Sequence, residues 1–363
     1  MPDSLPLHEQ HAQLGAALET QHDFVVPVRY SGVDAEVAAL RGSAGVLDLS
    51  DRGWIAVTGD ERSTFLQGQL SNDVLKTPAG HGCHATLLTR TGKLVSDLWL
   101  WTDDGAHWLD TEPDRADVTA QTLDRFVISE DVTLENRRGS VVHLGVAGPH
   151  ATDVVARAFP DGPPSLGLLE HATAPSGARF AHRRAAGTEL IEIWIAVADA
   201  VPAWKALLSS GATAAGREAW DLASLEAGEA RWGLDVDENN LPLEANLNDA
   251  ISYTKGCYIG QEVIAKATHL GRVNKRLVGL THDGASPLAA NDGVEAEGEA
   301  EPIGRVTRAA ISPTLGRAIA LAYVKWKFAE PGTPLVVSRA GGGSQPVRVV
   351  KLPFLDSLGG PQP

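Results

Sequence analysis

The chain has 363 residues, of which 43% are hydrophobic and 21% charged, and this composition predicts a globular protein of about two domains. Its net charge of −15 argues against direct contact with nucleic acid, which requires a basic surface. Two cysteines are too few for a disulfide framework and indicate a reducing compartment. No stretch is long and apolar enough to span a membrane, and the first residues resemble neither a signal nor a transit peptide. A cytoplasmic protein without membrane contact is therefore expected.

The first part of the chain alternates between helical and strand patterns. Residues 1–22 are polar with little periodicity, and they predict a flexible arm. Asp60 can cap a helix, because apolar residues recur after it at helical spacing. The run Asp103-Asp104-Gly105 is a hairpin signal between two strand patterns. Further predicted elements are a turn with a short strand within 50–57, strands at 94–101, 141–146 and 189–197, helices at 115–126, 148–158, 202–208 and 217–228, and a loop at 161–177.

The character of the sequence changes after Arg276. Short strand patterns separated by turn residues follow at 277–281, 304–310, 318–324, 334–337 and 347–351, and they predict a small barrel or sandwich. The fold class is therefore α+β. It comprises a large mixed α/β region at 23–272, a compact all-β domain at 273–355 and a frayed tail at 356–363.

The most informative stretch runs from Lys255 to Glu262 and reads Lys-Gly-Cys-Tyr-Ile-Gly-Gln-Glu. Two glycines permit a tight backbone course around Cys257, and an adjacent lysine favours the thiolate form of a cysteine. A small buried cysteine in a turn is the alternative, but the dense polar side chains around it favour a functional thiol. The predicted reactive group is Cys257, supported by Lys255, Tyr258, Gln261 and Glu262.

A second cluster of ligand-type residues is His81-Gly82-Cys83-His84. Histidine and cysteine bind zinc, but structural zinc sites take four ligands, usually in two spaced pairs. Here three candidates lie within four residues, and no second pair follows at a recognisable spacing. We therefore predict no metal site, and interpret the segment as a turn entering a strand at 85–88.

The run from Lys255 to Glu262 resembles the signature of the YgfZ family of folate-binding proteins, which are related to the glycine-cleavage T-protein, an aminomethyltransferase. Other segments resemble the same family in the same order, over roughly residues 40 to 330. They are Gly59-Asp60 with 65–74, residues 87–93 with Asp97, residues 225–228 with Pro242 and Glu244, and residues 301–307. The resemblance implies a T-protein-like folate-binding region followed by a β-barrel. It also implies a role in iron–sulfur cluster maturation, in which mitochondrial members of the family assist.

The resemblance further implies that the chain binds tetrahydrofolate or a derivative. A pterin ring presents a donor edge that a carboxylate accepts, and the glutamate tail of folate attracts arginine or lysine. The residues implied for these contacts are Asp97, Glu192, Arg90, Lys93 and Asn72. For Glu192, strand alternation alone favours a solvent-facing side chain, and only its place in the family pattern suggests a pterin contact.

Two departures from T-protein bear on activity. T-protein carries paired acidic residues where this chain has Ser96-Asp97, and an arginine in the segment that corresponds to 219–226, where this chain has none. The groups that would orient folate for attack are thus incomplete, and aminomethyl transfer is predicted to be absent.

Three functions compete at this point. The preferred one is a folate-binding accessory protein for iron–sulfur cluster assembly or repair, with indirect effects on cluster-dependent enzymes. Its expected partners are the assembly machinery or client enzymes, and a transient contact with the cluster is expected. The alternatives are a folate-dependent aminomethyltransferase or demethylase of the T-protein type and a tRNA-modification factor.

Overall fold

A computed structural model of the protein describes residues 3–162, 165–284, 287–339 and 342–355. The chain forms two compact units. One comprises the residues up to 219 together with 249–261, and the other comprises 220–248 together with the residues from 262 onward. Both units are therefore discontinuous in sequence, whereas the sequence predicts one boundary after residue 272. The predicted frayed tail at 356–363 lies outside the described residues.

The N-terminal segment is folded, and the prediction of a flexible arm is wrong for residues 3–22. The His11 side chain is fully buried and lies 2.8 Å from the carboxylate of Asp48, which anchors this segment. A small sheet forms with the strand order β1-β3-β2. The first elements are β1 (Asp3–Ser4), α1 (His8–Gln13), β2 (Ala17–Gln21), β3 (Phe24–Arg29), α2 (Val33–Gly42) and β4 (Gly45–Asp48).

A five-stranded sheet follows, with the order β6-β7-β8-β5-β9. The predicted hairpin at Asp103-Asp104-Gly105 is confirmed, because it joins two strands that pair in antiparallel fashion. The segment at 81–84 belongs to a strand and is not a turn. The elements are β5 (Gly53–Thr58), α3 (Arg62–Gln69), β6 (His81–Leu88), β7 (Leu94–Thr102), β8 (His107–Thr111), α4 (Ala116–Asp124) and β9 (Thr133–Asn136).

A six-stranded sheet has the order β11-β12-β13-β10-β4-β14. The predicted loop at 161–177 is wrong in part, since it contains a short strand, and a second strand follows that the sequence pattern did not indicate. The elements are β10 (Val141–Ala147), α5 (Ala151–Ala158), β11 (His171–Thr173), β12 (Arg179–Ala185), β13 (Thr188–Ala196), α6 (Ala200–Ser209) and β14 (Thr213–Ala214).

The two larger sheets share an aromatic layer. Trp54 and Trp101 from the five-stranded sheet form one buried cluster with Ala181 and Trp194 from the six-stranded sheet. Successive strand residues point to opposite faces, so every second residue of a strand can join such a layer. Tryptophans bury large areas and favour stacked contacts, and they fix the spacing between the sheets. The candidate site described below lies along this layer.

The second unit contains a closed six-stranded barrel. Alternate valine, leucine and alanine side chains fill its interior, as the alternating strand patterns predict. The predicted fold class, a large mixed α/β region followed by a small β-barrel, is confirmed. The remaining elements are α7 (Arg217–Glu226), α8 (Gln261–His269), β15 (Lys275–Thr281), β16 (Gly293–Glu295), β17 (Gly304–Ser312), β18 (Arg317–Lys325), β19 (Pro334–Ser338) and β20 (Ser344–Val350).

Among the described residues, no helix combines the length and the hydrophobicity that are needed to cross a membrane.

Candidate functional site

Lys255 supports the chain at the end of a helix. Its amine donates hydrogen bonds to the backbone carbonyl oxygens of Gln67, Leu70 and Asn72, at 2.7, 2.7 and 2.8 Å. These carbonyls lie at and beyond the C-terminal end of α3, where a helix leaves acceptors without partners and a lysine is favoured. An ammonium group has three protons to donate, and three carbonyls use them all.

Lys255 was predicted to interact with the Cys257 thiol, but the charged group that acts on it is a different one. Burial lowers the pKa of Lys255 to about 8, and the negative charge of Asp73 partly offsets that effect. Because the amine is enclosed by carbonyls, its predicted role in activating Cys257 is revised to a structural one. The sequence places Lys255 two residues from Cys257, but the fold directs its amine to α3.

The segment around Cys257 lies against the turn between β6 and β7. Gly260 has φ +82, and a β-carbon there would lie 2.6 Å from the carbonyl oxygen of Thr89, so this close approach requires glycine. Tyr258 is buried, and burial raises its pKa to about 12. Cys257 itself is exposed. The backbone therefore presents the thiol to solvent as expected, while its reactivity stays a prediction.

The last two residues predicted around the thiol lie at the start of a helix. Gln261 is the first residue of α8, and its backbone N–H donates to the carbonyl of Tyr258 at 3.2 Å. Glu262 follows in the first turn and is exposed. A carboxylate in the first turn of a helix is stabilised by the helix dipole, which explains an acidic residue here without any catalytic role.

Asp97 is part of a small polar and aromatic arrangement on β6 and β7. Its Oδ1 lies 2.5 Å from Nε2 of His84, and the two side chains retain 20% and 16% of their exposure. The His84 ring stacks on Trp99 with 4.8 Å between centroids and 12° between planes. The register explains this geometry, because His84 pairs directly with Trp99 and therefore lies diagonally from Asp97. The Asp97 carboxylate is therefore partly exposed beside the stacked rings of His84 and Trp99.

The other residues predicted to contact folate differ in their freedom. Arg90 and Lys93 are exposed in the turn between β6 and β7. The Asn72 amide is used within the protein, because it donates to the backbone carbonyls of His84 and Asp249 at 2.7 and 3.1 Å. Arg90 and Lys93 are therefore accessible to an anion, whereas the Asn72 amide connects β6 by hydrogen bonds to the segment that precedes Cys257.

Glu192 is fully buried and already paired. Arg183 donates to both of its oxygens, at 2.7 and 2.9 Å, and the Nε2 atom of His143 lies 3.2 Å away. The same guanidinium lies over the ring of Trp99 at 4.8 Å. The structure thus links Glu192 to Asp97 through Arg183, Trp99 and His84. Because Glu192 is fully buried and both of its oxygens bond Arg183, a pterin edge has no access to it, and its direct contribution is to hold Arg183.

Arg183 and Glu192 belong to a buried charge cluster, which we define as Arg52, Asp110, His143, Arg183 and Glu192. Arg52 donates to Asp110 at 2.7 Å. Burial alone would raise the pKa of Glu192, but Arg183 and His143 more than offset this and hold it well below its usual range. Burial and the charge of Glu192 raise the pKa of Asp110. A cluster of this kind is costly to bury and depends on every partner being present.

Three members of this cluster have the chemistry of metal ligands. Asp110, His143 and Glu192 offer ligand atoms that all lie within 4.8 Å of one another. However, Arg52 and Arg183 already bond the two carboxylates, and a divalent cation would face two guanidinium charges at short range. The residues therefore fit an ion-pair network and do not fit a metal site.

Sequence reasoning did not identify His84, Trp99 or Arg183 as members of the site. His84 was considered only as a metal ligand within 81–84, and Arg183 lies in a charged run that does not resemble a buried strand. One signal was available for His84: the turn at 89–93 sets the register of the hairpin and brings His84 close to Asp97. For Arg183 no local signal exists, because its partner Glu192 belongs to the neighbouring strand.

Comparison with known proteins identifies the class to which this fold and site belong. The family described as "GCVT N-terminal domain" matches residues 7–255, and the "Glycine cleavage T-protein C-terminal barrel domain" matches residues 275–356. The chain therefore belongs to the glycine cleavage T-protein family. The wider relationship that its motifs indicated is thus confirmed, while membership of the YgfZ branch stays a prediction.

Individual relatives agree over nearly the whole chain. An aminomethyltransferase from Nostoc is 30% identical over 97% of this chain and 95% of its own length. One from Saccharopolyspora erythraea is 32% identical over 97% and 98%. Among solved structures, the glycine cleavage system aminomethyltransferase T from Bartonella henselae superposes with a TM-score of 0.91 at 24% identity, covering 98% of this chain and 99% of that chain. That last similarity shows the fold.

These relatives correct the preferred functional prediction. A folate-binding accessory protein for iron–sulfur assembly was expected, but the relatives that align with the entire chain are named aminomethyltransferases. The same relatives favour the alternative of a T-protein-type aminomethyltransferase over the predicted absence of aminomethyl transfer, and the iron–sulfur partners are not carried forward. The two departures noted above, Ser96 and the missing arginine in 219–226, occur in a chain that differs from the Nostoc enzyme at about 70% of positions over its whole length.

Proposed function

We propose that this protein is a tetrahydrofolate-dependent aminomethyltransferase of the glycine cleavage type. The observation that carries the proposal is the full-length similarity to relatives with that name, together with membership of the T-protein family. Asp97 supports it on structural grounds, because a carboxylate is one of the groups that can act as a general base when an amine receives a one-carbon unit.

The residues around Asp97 suit a folate. Its Oδ2 has no hydrogen-bond partner within the described part of the chain, since only Oδ1 is bonded to His84. Trp99 is half-buried beside the carboxylate, and its ring contacts both His84 and Arg183. Arg90 and Lys93 are exposed at the adjacent turn and can pair with an anionic tail. An unbonded carboxylate oxygen and two exposed cations thus occur on one hairpin.

Each of these residues has a separate task in the proposed reaction. Tetrahydrofolate, when bound, supplies the amine that accepts the one-carbon unit. Oδ2 of Asp97 would accept a hydrogen bond from an amine placed beside it, and would take that proton as the amine nitrogen forms its bond to the one-carbon unit. The stacked rings of Trp99 and His84 pack together beside the carboxylate. Arg183, held by Glu192, keeps Trp99 in place from the neighbouring sheet.

The proposal is tested with the purified full chain in a glycine-cleavage assay, in which the other proteins of the system are supplied in excess. We expect turnover that requires both this protein and tetrahydrofolate, and calorimetry should show binding of tetrahydrofolate. Binding without turnover would reduce the proposal to a folate-binding protein. Background rates together with the absence of folate binding would overturn it entirely.

A further inference from the structure

His84 is held in one position by three independent contacts. Its backbone carbonyl accepts the Asn72 amide at 2.7 Å, its ring stacks on Trp99 at 4.8 Å, and its Nε2 lies 2.5 Å from Asp97. A stacked ring with a fixed backbone has little rotational freedom. The direction of its N–H bond is therefore set by the fold before any ligand arrives.

The contact between His84 and Asp97 makes the two carboxylate oxygens different, because only Oδ1 is bonded to the histidine. An ionised carboxylate only accepts hydrogen bonds, so Nε2 of His84 is the donor and Oδ1 of Asp97 is the acceptor. Oδ2 keeps its capacity to accept, and both side chains remain partly exposed. A pair that served stability alone gains less where solvent reaches it, because water weakens such interactions.

We propose that His84 is a positioning residue that fixes Asp97 so that its Oδ2 meets the reacting amine. The proposal rests on the proposed aminomethyl transfer and extends it by one residue. Within this account, His84 contacts neither substrate, and it acts through the orientation of the carboxylate. A displacement of about 1 Å in a reacting group can cost up to about 100-fold in rate, which sets the size of effect to look for.

Two substitutions separate the donor from the stacked ring. His84→Phe retains a ring that can stack on Trp99 but has no N–H, whereas His84→Gln retains an N–H donor and loses the ring. The matched control is His81→Gln, since His81 lies on the same strand, on the opposite face by parity, with 45% side-chain exposure. All four proteins are compared for kcat and for the KM of tetrahydrofolate in the glycine-cleavage assay, and for thermal unfolding.

We expect kcat of His84→Phe to fall by about 10- to 100-fold with KM changed by less than about threefold. His84→Gln should recover kcat to within about fivefold of the wild type, and His81→Gln should match it. A wild-type kcat in His84→Phe would overturn the positioning role while leaving aminomethyl transfer intact. Equal losses in the Phe and Gln variants, with lowered melting temperatures in both, would make His84 structural and also overturn it. An inactive wild-type protein would overturn the proposed function, and this inference with it.

Discussion

Two carboxylates on neighbouring sheets of the first unit show how differently a strand can use the same chemical group. Glu192 is fully buried, and both of its oxygens are held by Arg183. Asp97 keeps 20% of its side-chain exposure and has one oxygen bonded to His84. Both residues were predicted to contact folate. A fully buried carboxylate with both oxygens bonded to an arginine stabilises the fold, whereas a partly exposed carboxylate with one unbonded oxygen is available to a ligand.

The largest effect on stability is expected at the enclosed carboxylate. Glu192→Ala leaves Arg183 as a buried charge without its partner, and breaking a buried pair in this way costs about 3–5 kcal/mol. Urea unfolding monitored by tryptophan fluorescence should show that loss in the free energy of unfolding. Replacing both partners with apolar residues, as in Arg183→Met with Glu192→Met, should restore much of the stability. A loss below about 1 kcal/mol in Glu192→Ala would show that the pair is not enclosed.

A smaller loss is expected where Lys255 bonds the end of α3. Lys255→Met keeps most of the side-chain volume but leaves three carbonyls with fewer donors, and we expect a loss of about 2 kcal/mol in the free energy of unfolding. Lys266→Met is the matched control, because Lys266 is exposed on α8 and should change stability by less than about 0.5 kcal/mol. Equal effects in the two variants would contradict the assignment.

The last prediction concerns the order in which the two cysteine thiols react, and it involves no change in stability. Cys257, like Asp97, is accessible to solvent. Alkylation with iodoacetamide across a pH series should modify Cys257 before Cys83. Cys257 is exposed, whereas burial raises the pKa of Cys83 and so lowers its thiolate fraction. Peptide mapping by mass spectrometry gives the order of modification. Faster modification of Cys83 would place the reactive thiol in β6 and refute the prediction for Cys257.

Local sequence patterns were sufficient for elements that depend on local physics. The β7–β8 hairpin follows from Asp103-Asp104-Gly105, and the barrel follows from short alternating strands with turn residues between them. The strand β12 was missed, because its arginines resemble a solvated surface. Arg183 is buried there only because Glu192 on the adjacent strand neutralises it. The α1 helix was missed for a similar reason, since His11 is buried against Asp48, 37 residues away.

For the candidate site, the sequence predicted the positions of some residues but not the contacts that they make. The resemblance located Asp97 and the segment around Cys257. Asp97 is partly exposed on a strand, and Cys257 is exposed to solvent. The task of each neighbour depends on long-range geometry that spacing does not contain. The amine of Lys255 meets carbonyls more than 180 residues away, and Glu192 meets an arginine from the next strand. Similarity of whole chains, in turn, corrected the function that one short motif had suggested.

The central claim is that Asp97 serves the chemistry and that Glu192 serves the structure. Its most direct measurement is the kcat of Asp97→Asn in the glycine-cleavage assay, with the unfolding free energy measured on the same preparation. The account predicts a fall in kcat of at least about 100-fold, because the amide cannot take a proton from an amine. It also predicts a change in stability below about 1 kcal/mol. An Asp97→Asn protein with wild-type turnover, or one that loses activity only because it unfolds, would contradict the account.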